Sequence, residues 1–321
     1  MKSLENESIY RGRYRILRRL GEGGSSVVYM AVDERENDPV TIKLFKDNMP
    51  GKKSITDLAG SETEILSKLS HEAIPKLKAA YDDAVVVSYT PGNSLEKVLA
   101  QKGRLAEKEA VRISLEILKV LEYLHERKEP VIYRDLKPAN IMLRPNGHIS
   151  IIDFGAARVM EKGVAADTLN LGTSGFAAPE QYGNLGQTDP RTDIYCLGRT
   201  ILLLVGGKCS PQLMEIIEKA TMPDREDRFT SCREVEKALL RYPVRVRLSG
   251  AVRGLKLAAG SALVAGVISF ALIHYDAVKS YAADDARERI PAVQERLGNA
   301  GVRINEILRE NFGVTLWEDE R

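Results

Sequence analysis

The stretch VIYRDLKPANIMLRPNGHISIIDFG, residues 131–155, decides how this chain is interpreted. Its second half contains two short apolar runs, 141–143 and 149–152, on either side of Asn146-Gly147. Apolar runs that flank Asn-Gly are a strong local signal for a β-hairpin with a two-residue loop. The stretch is therefore predicted to fold back on itself, so that the residues just before and just after the hairpin lie side by side.

The open end of this hairpin holds two oxygen-bearing side chains. If Asn146 and Gly147 are the whole loop, Asn140 faces Asp153 at about 5 Å. Pro145 could instead favour a bulged turn, which would shift the pairing by one residue but leave Asn140 and Asp153 as neighbours. In either register, two side-chain oxygens supplemented by phosphates and water suit Mg²⁺.

The loop before the hairpin adds Asp135 and Lys137. Asn140 and Asp153 could simply cap strands, but strand caps would require neither a second carboxylate nor a lysine in the same loop. We therefore favour a site for a hard divalent cation over a purely structural role.

Residues 20–29, LGEGGSSVVY, form a glycine-rich segment between two apolar runs. Glycine lets backbone amides approach a polyanion closely, although this pattern alone is more typical of a simple hairpin turn. Lys43 lies within the apolar run 40–45, and a buried ammonium needs an anionic partner. Glu62, on a helical run that continues to Leu69, is the candidate partner, and a lysine that reaches the surface is the alternative.

Local patterns divide the first 240 residues into two parts. Short β-type runs, broken by one helical run near residues 62–69, dominate up to Val87. After Pro91 the pattern becomes helical, with apolar residues at spacings of three and four. This apolar stripe consists of Ile113, Ile117, Val120, Leu121 and Leu124.

These motifs occur in the order typical of eukaryotic-like protein kinases, and Ala178-Pro179-Glu180 completes the series. From about Tyr14 to Tyr242 the chain resembles this family, and in particular its membrane-anchored bacterial serine/threonine members. The resemblance implies an α+β, two-lobed protein kinase fold, with a β-rich N-lobe over residues 14–88 and a helical C-lobe over residues 91–242.

The resemblance assigns catalytic roles to four residues. It implies that Asp135 accepts the proton of the substrate hydroxyl and that Lys137 neutralises the γ-phosphate. Lys43 would contact the α- and β-phosphates of ATP while paired with Glu62. These roles agree with the chemistry, because phosphoryl transfer depends on positioning and charge neutralisation.

The resemblance also implies ATP and Mg²⁺ as cofactors. Asn140 and Asp153 would hold the metal. The apolar run 85–87 and the residues after it resemble the hinge against which adenine stacks, with Val87 at the back of the pocket. The implied ATP-binding residues are Gly21, Glu22, Gly23, Gly24, Ser25, Ser26, Val28, Lys43, Val87, Ser88 and Tyr89.

Two threonines are assigned to the activation loop by the resemblance. Lys137 two residues after Asp135, together with Thr173 shortly before Ala-Pro-Glu, resembles serine/threonine rather than tyrosine kinases. Arg134 resembles the arginine that binds a phosphorylated activation loop in many relatives. Thr168 is the best-placed acceptor, so we expect autophosphorylation there.

Other residues are implied to be structural. Asp193 resembles the aspartate that braces the catalytic loop, and Glu180 is expected to form a buried ion pair with Arg228. Tyr133 stands where the family usually has histidine, which removes no group that the reaction needs. Residues 206–211 stand where the family normally has a longer loop and an extra helix that often dock substrates, so recognition of protein substrates is the property that the resemblance implies least directly.

Charge and composition limit the partners. The chain has 321 residues, with 47 Lys and Arg against 45 Asp and Glu. A net charge of +2 is too small for a protein whose main partner is nucleic acid, so no nucleic-acid partner is expected.

The three cysteines lack metal-type spacing and indicate neither disulfides nor zinc. The histidines, interpreted as structural or exposed, are His71, His125, His148 and His274.

One apolar segment stands apart, residues 257–273, which contains no charged residue. As a helix it would cover about 25 Å, close to the roughly 30 Å hydrocarbon core, and a buried core helix is the alternative. The basic juxtamembrane segment 243–256 predicts a single-pass anchor in the cell membrane with the kinase domain cytoplasmic. Residues 274–321 would then be a short extracytoplasmic tail. Residues 1–13 are interpreted as an N-terminal tail on the cytoplasmic side. Small residues at 262–266 make a homodimer possible.

The predicted function is an ATP-dependent serine/threonine protein kinase that acts on protein substrates in membrane-linked signalling. One alternative is a catalytically inactive scaffold with a kinase fold, against which the intact Lys43, Asp135, Asn140 and Asp153 argue. The other is a small-molecule phosphotransferase, against which the segment 172–180 argues, because it resembles a peptide-binding element.

Overall fold

A computed structural model describes residues 4–46, 55–160, 173, 175–182 and 187–242, with the side chains of residues 55 and 56 excepted. Thr168 and the segments 243–256, 257–273 and 274–321 lie outside the described residues. In the part of the chain that is described, no helix is both long and apolar enough to cross a bilayer.

The first part of the chain folds as a six-stranded antiparallel sheet with the spatial order β1-β2-β3-β4-β6-β5. The strands are Ile9–Tyr10 (β1), Tyr14–Glu22 (β2), Ser26–Asp33 (β3), Asp38–Phe45 (β4), Leu77–Ala80 (β5) and Ala84–Ser88 (β6). Strand β1 lies within the predicted N-terminal tail and pairs with β2. On β4, Val40, Ile42 and Leu44 are buried while Thr41 and Lys43 between them are less so. This period of two directs Lys43 to the opposite face from the core.

Helix α1, Ile55–Ser67, packs against strands β4, β5 and β6. Ala59, Glu62 and Leu66 are buried, and their spacing of three and four places them on one face of the helix. A carboxylate on the buried face of a helix is unusual unless it has a charged partner. The sequence of α1 therefore directs Glu62 toward the sheet.

The second part of the chain is mainly helical. Its helices are Leu95–Lys102 (α2), Glu107–His125 (α3), Pro190–Leu204 (α4), Pro211–Ala220 (α5) and residues 232–242 (α6). Its short strands are Asn93–Ser94 (β7), Val131–Ile132 (β8), Ile141–Leu143 (β9), Ile149–Ile151 (β10) and Arg158–Val159 (β11). All five residues of the predicted apolar stripe on α3 are buried, which confirms that prediction. The described residues thus form a β-rich lobe followed by a helical lobe.

The hairpin of β9 and β10 does not have the two-residue loop that Asn146-Gly147 predicts. Ile149 pairs with Leu143, and the N–H of Gly147 donates to the carbonyl of Arg144 at 2.9 Å. The loop therefore has three residues, and Gly147 adopts the left-handed conformation, with φ at +82°. Pro145 suits the second position of a type I turn, which explains why the bulged register is adopted.

Candidate active site

A cleft of about 1070 Å³ is lined by residues of both lobes. The predicted ATP-binding residues that line it are Gly21, Glu22, Gly23, Ser26, Val28, Lys43, Val87, Ser88 and Tyr89. Gly24 and Ser25, at the tip of the turn between β2 and β3, do not belong to its lining. Leu20, Thr41 and Met142 also line the cleft but were not predicted, because no motif distinguishes such residues from ordinary strand residues.

Hydrogen bonds hold the glycine-rich turn in place. The N–H of Gly23 donates to the carbonyl of Ser26 at 2.9 Å. The ammonium of Lys46 donates to the carbonyl of Gly23 at 2.8 Å and also contacts the Glu22 carboxylate. Lys46 was not predicted, because it follows β4 in the sequence and only strand pairing brings it beside the turn.

Lys43 lies between two carboxylates. Its Nζ is 2.6 Å from Oε2 of Glu62 and 2.6 Å from Oδ1 of Asp153. The Lys43 side chain is 13% exposed and that of Glu62 is 4% exposed. The structure thus brings the predicted lysine and glutamate together, rather than directing the lysine to the surface.

Burial and charge act in opposite directions on these three groups. Burial alone would lower the pKa of Lys43, but the carboxylates of Asp153 and Glu62 outweigh it and raise that pKa. Burial is the main reason why the pKa of Glu62 is raised. Desolvation within the cleft opposes ionisation of Asp153 even though its side chain is 43% exposed, but the Lys43 ammonium outweighs this effect and lowers the Asp153 pKa. Lys43 and Asp153 are therefore both charged at neutral pH.

Gly155 leaves room for this arrangement. A Cβ at this position would lie 2.8 Å from Nζ of Lys43 and 3.3 Å from Oε2 of Glu62. Any side chain would therefore displace the ion pair. The glycine of the Asp-Phe-Gly motif is required here by close approach to charged side chains.

Asp135, Lys137 and Thr173 contact one another. Nζ of Lys137 is 2.8 Å from Oδ2 of Asp135, and it donates to the Thr173 hydroxyl at 2.6 Å. The Thr173 hydroxyl in turn donates to Oδ1 of Asp135 at 2.8 Å. An alcohol oxygen thus lies between a carboxylate that can accept its proton and an ammonium that can stabilise negative charge beside it.

Asn140 and Asp153 fit a magnesium ion. The side-chain amide N–H of Asn140 donates to Oδ2 of Asp135 at 2.8 Å, which leaves its amide oxygen as a potential ligand. The Asp153 carboxylate is 43% exposed and lines the same cleft. Among the residues that the structure describes, no group of three or more His, Cys, Asp and Glu could hold a metal. A metal bound here would therefore complete its shell with phosphate and water oxygens, as Mg²⁺ commonly does.

Asp193 braces the catalytic loop through backbone N–H groups. Its carboxylate accepts the N–H of Tyr133 at 2.9 Å and that of Arg134 at 2.7 Å. Arg134 has φ at +70°, a conformation that is strained in a residue other than glycine. Nε2 of His125 contacts the same carboxylate at 2.8 Å. Sequence analysis interpreted His125 as structural or exposed, and the fold places it in contact with Asp193.

Tyr133, at the position where the family usually has histidine, is fully buried. Its ring meets that of Phe154 edge-on, with 5.1 Å between the centroids. Its hydroxyl donates to the carbonyl of Ile152, and burial raises its pKa far above the ordinary value. A neutral aromatic residue therefore connects the catalytic loop to the Asp-Phe-Gly motif.

The predicted ion pair between Glu180 and Arg228 is present and bidentate. The two N–O distances are 2.7 Å and 2.9 Å, and both residues are buried. Gln181, the next residue, donates its side-chain N–H to the carbonyl of Arg134 at 2.9 Å. Gln181 was not predicted. It connects the Ala-Pro-Glu segment to the strained residue of the catalytic loop.

Together, the two lobes and the charged residues gathered in the cleft between them define a kinase-like domain. A family model described as protein kinase domain matches residues 14–247, which is most of the chain. The chain belongs to the protein kinase family.

Several curated relatives carry serine/threonine kinase names. A Clostridium perfringens protein named as a probable serine/threonine-protein kinase is 32% identical over 61% of this chain and 29% of its own length. Serine/threonine-protein kinase F of Synechocystis is 30% identical, over 71% of this chain and 54% of its own. Serine/threonine-protein kinase PrkC of Bacillus subtilis is 30% identical, over 61% and 31%. The matches therefore span less than two thirds of these relatives.

Proposed function

We propose that this chain is a serine/threonine protein kinase that transfers the γ-phosphoryl group of Mg-ATP to hydroxyl groups of proteins. The observation that carries the proposal is the Thr173 hydroxyl, which donates to Asp135 at 2.8 Å while Lys137 contacts both residues. A substrate serine or threonine at this point would find a carboxylate to take its proton and an ammonium beside its oxygen.

The chemical step follows from these positions. Asp135 accepts the hydroxyl proton as the substrate oxygen forms its bond to the γ-phosphorus. The bond from that phosphorus to the bridging oxygen breaks, and its electron pair leaves with ADP. Lys137 offsets negative charge on the transferred group, while Lys43, held by Glu62, binds the other phosphates.

The remaining residues position the nucleotide. The glycine-rich turn, residues 21–28, covers the phosphates with backbone N–H groups. Val87 and its neighbours line the place for adenine. Asn140 and Asp153 would hold Mg²⁺, which supplies neutralisation of phosphate charge and orientation of the γ-phosphate.

The test uses the full chain, labelled Mg-ATP and a mixture of unrelated proteins as acceptors. We expect phosphoserine and phosphothreonine in the acceptors, and none when Asp135→Asn replaces the wild type. Nucleotide binding without turnover would instead identify a scaffold. Turnover with small alcohols, such as sugar alcohols or aminoglycosides, but not with proteins would identify a small-molecule phosphotransferase.

We also propose autophosphorylation of Thr168, with Arg134 as the residue that responds to it. The support is the resemblance of Arg134 to a phosphate-binding arginine together with its position in the catalytic loop. Phosphopeptide mapping of active protein should find Thr168 modified, and Thr168→Ala should lower turnover. An active protein with unmodified Thr168 would contradict this.

A membrane location is proposed from the sequence. Residues 257–273 would anchor the chain once, with the catalytic domain in the cytoplasm and the C-terminus outside, and pairing of these helices would give a homodimer. The full chain should resist extraction from membranes by carbonate, and Val264→Arg should release it. Extraction of the wild-type chain would argue for a buried helix instead.

A further inference from the structure

The catalytic cleft extends beyond the nucleotide site along α2 and the end of α4. Its apolar lining there consists of Leu99 and Ala100 of α2, Phe176 of the segment before Ala-Pro-Glu, and Leu203 of α4, and Glu96 and Lys97 of α2 also line the cavity. We call the four apolar residues the apolar groove. It belongs to the same cavity as Lys137 and Thr173, so a molecule in it would also reach the acceptor position.

The short connection after α4 leaves this groove open. Helix α4 ends at Leu204, and the chain reverses over Gly206 and Gly207, which have φ at +65° and +71°. Helix α5 then begins at Pro211. No residue of this connection covers Leu203, which is 47% exposed although Ile201 and Leu204 beside it are buried.

The position of Leu203 distinguishes it from an ordinary surface leucine. Single exposed leucines are common and need no explanation. Leu203, however, shares a concave wall with the half-buried Phe176 and Leu99. Phe176 is also held in place, because Nε of Arg199 on α4 donates to the carbonyl of Gly175 at 2.8 Å. A preformed apolar wall in the same cavity as Lys137 and Thr173 is typical of a specificity pocket.

We propose that the apolar groove binds a bulky apolar side chain of the acceptor polypeptide, a few residues away from the serine or threonine that is phosphorylated. The inference rests on the proposed function and names the substrate class. Leu203 would be the main specificity-determining residue.

Continuity of the cavity favours a polypeptide over other occupants. The cleft is lined at the same time by Lys43 and the glycine-rich turn and by Leu99 and Leu203, so its lining extends beyond the residues proposed for the nucleotide. The nucleotide itself would lie at the end that carries Lys43 and the glycine-rich turn. An extended chain advances about 3.3 Å per residue, so one polypeptide can place a hydroxyl at Asp135 and a side chain against Leu203.

The test is a peptide library assayed with the full chain and labelled Mg-ATP. Each peptide has one threonine, and Leu, Ala, Lys or Glu replaces the residue at each of about six positions on either side, a span of roughly 20 Å. At one position, kcat/KM for the leucine peptide should exceed that for the alanine peptide about tenfold. Equal rates for leucine and alanine at every position would overturn the proposal.

Two variants test whether Leu203 is the residue that causes the preference for leucine in the peptide. In Leu203→Glu the leucine preference at that position should disappear and lysine should become the preferred residue, which a merely damaged protein would not show. Leu240→Glu is the matched control, because Leu240 is a 57% exposed leucine on α6 outside the cleft lining. It should retain the wild-type preference. The same change of preference in both variants, or an unchanged preference in Leu203→Glu, would contradict the assignment.

The assay separates this inference from the proposed function. A chain that phosphorylates itself but no peptide of the library retains kinase activity and refutes peptide binding in the groove. A chain that transfers no phosphate to any acceptor, itself included, refutes the proposed function as well.

Discussion

Nζ of Lys43 lies 2.6 Å from Oδ1 of Asp153, a residue 110 positions further along the chain. Lys43 belongs to the sheet of the first lobe, and Asp153 follows the hairpin of the second. One ammonium therefore connects the two lobes at the bottom of the cleft, where the phosphates and the metal would bind. The contacts of Lys43 with Glu62 and Asp153 therefore depend on how the two lobes lie against each other.

Lys43→Met should remove the cation that pairs with Glu62 and the positive charge that would bind the phosphates. It leaves the buried Glu62 without its cation, which should lower the free energy of unfolding by about 3 kcal/mol. Turnover should fall at least a hundredfold, because the phosphates lose a fixed positive charge. Urea denaturation and an ATP turnover assay measure the two effects. The double variant with Glu62→Gln is the control, and it should recover stability but not activity.

Asp135→Asn should abolish turnover and leave ATP affinity nearly unchanged. Asp135 acts on the acceptor hydroxyl, and a general base contributes about 10² to 10⁴ in rate. Calorimetric titration with an ATP analogue and a steady-state assay separate binding from chemistry. Turnover above about a hundredth of the wild-type rate would count against this role.

Gly155→Ala should reduce turnover at least tenfold, because its Cβ would lie 2.8 Å from Nζ of Lys43. Gly60→Ala is the matched control. Gly60 lies in α1, where an added Cβ meets nothing within 4 Å, so the change should stabilise the protein by about 0.5–1 kcal/mol. Equal activity of the two variants would show that the close approach at Gly155 is unimportant.

Glu180→Gln should destabilise the protein in a pH-dependent way. Burial alone would raise the pKa of Glu180, but hydrogen bonds from Arg228 outweigh it and hold that pKa below the ordinary value of 4.5. A lowered folded-state pKa gives stability that is complete above the unfolded pKa and is lost as the pH falls through the folded one. At pH 7 the variant should be less stable by about 3 kcal/mol, since it leaves Arg228 buried without a counter-charge.

Denaturation of both proteins between pH 7 and pH 3 tests this expectation. The difference in unfolding free energy should stay constant down to about pH 5 and then shrink, because carboxylates protonate below that range. A difference that is the same at every pH would mean that the Glu180 charge does not stabilise the fold.

The sequence alone determined the features that local patterns encode. The stripe on α3 predicted a helix because a period of 3.6 places its residues on one face, and β4 alternates because strands have a period of two. The spacing of Asn140 and Asp153 around a hairpin predicted a site for a divalent cation, and the resemblance of the ordered motifs to protein kinases implied phosphoryl transfer.

Only the tertiary structure decided contacts between distant segments. The Thr173 hydroxyl contacts Asp135 across 38 positions, and Leu203 lines the same cavity as Leu99 of α2 although the two residues are far apart in the sequence. The hairpin register depended on Pro145, which suits the second position of a type I turn, so that the loop has three residues and ends at the left-handed Gly147. Periodicity determines which face of a helix or strand is buried, whereas tertiary packing determines which helices and strands contact one another. The proposed acceptor site depends on contacts of this second kind.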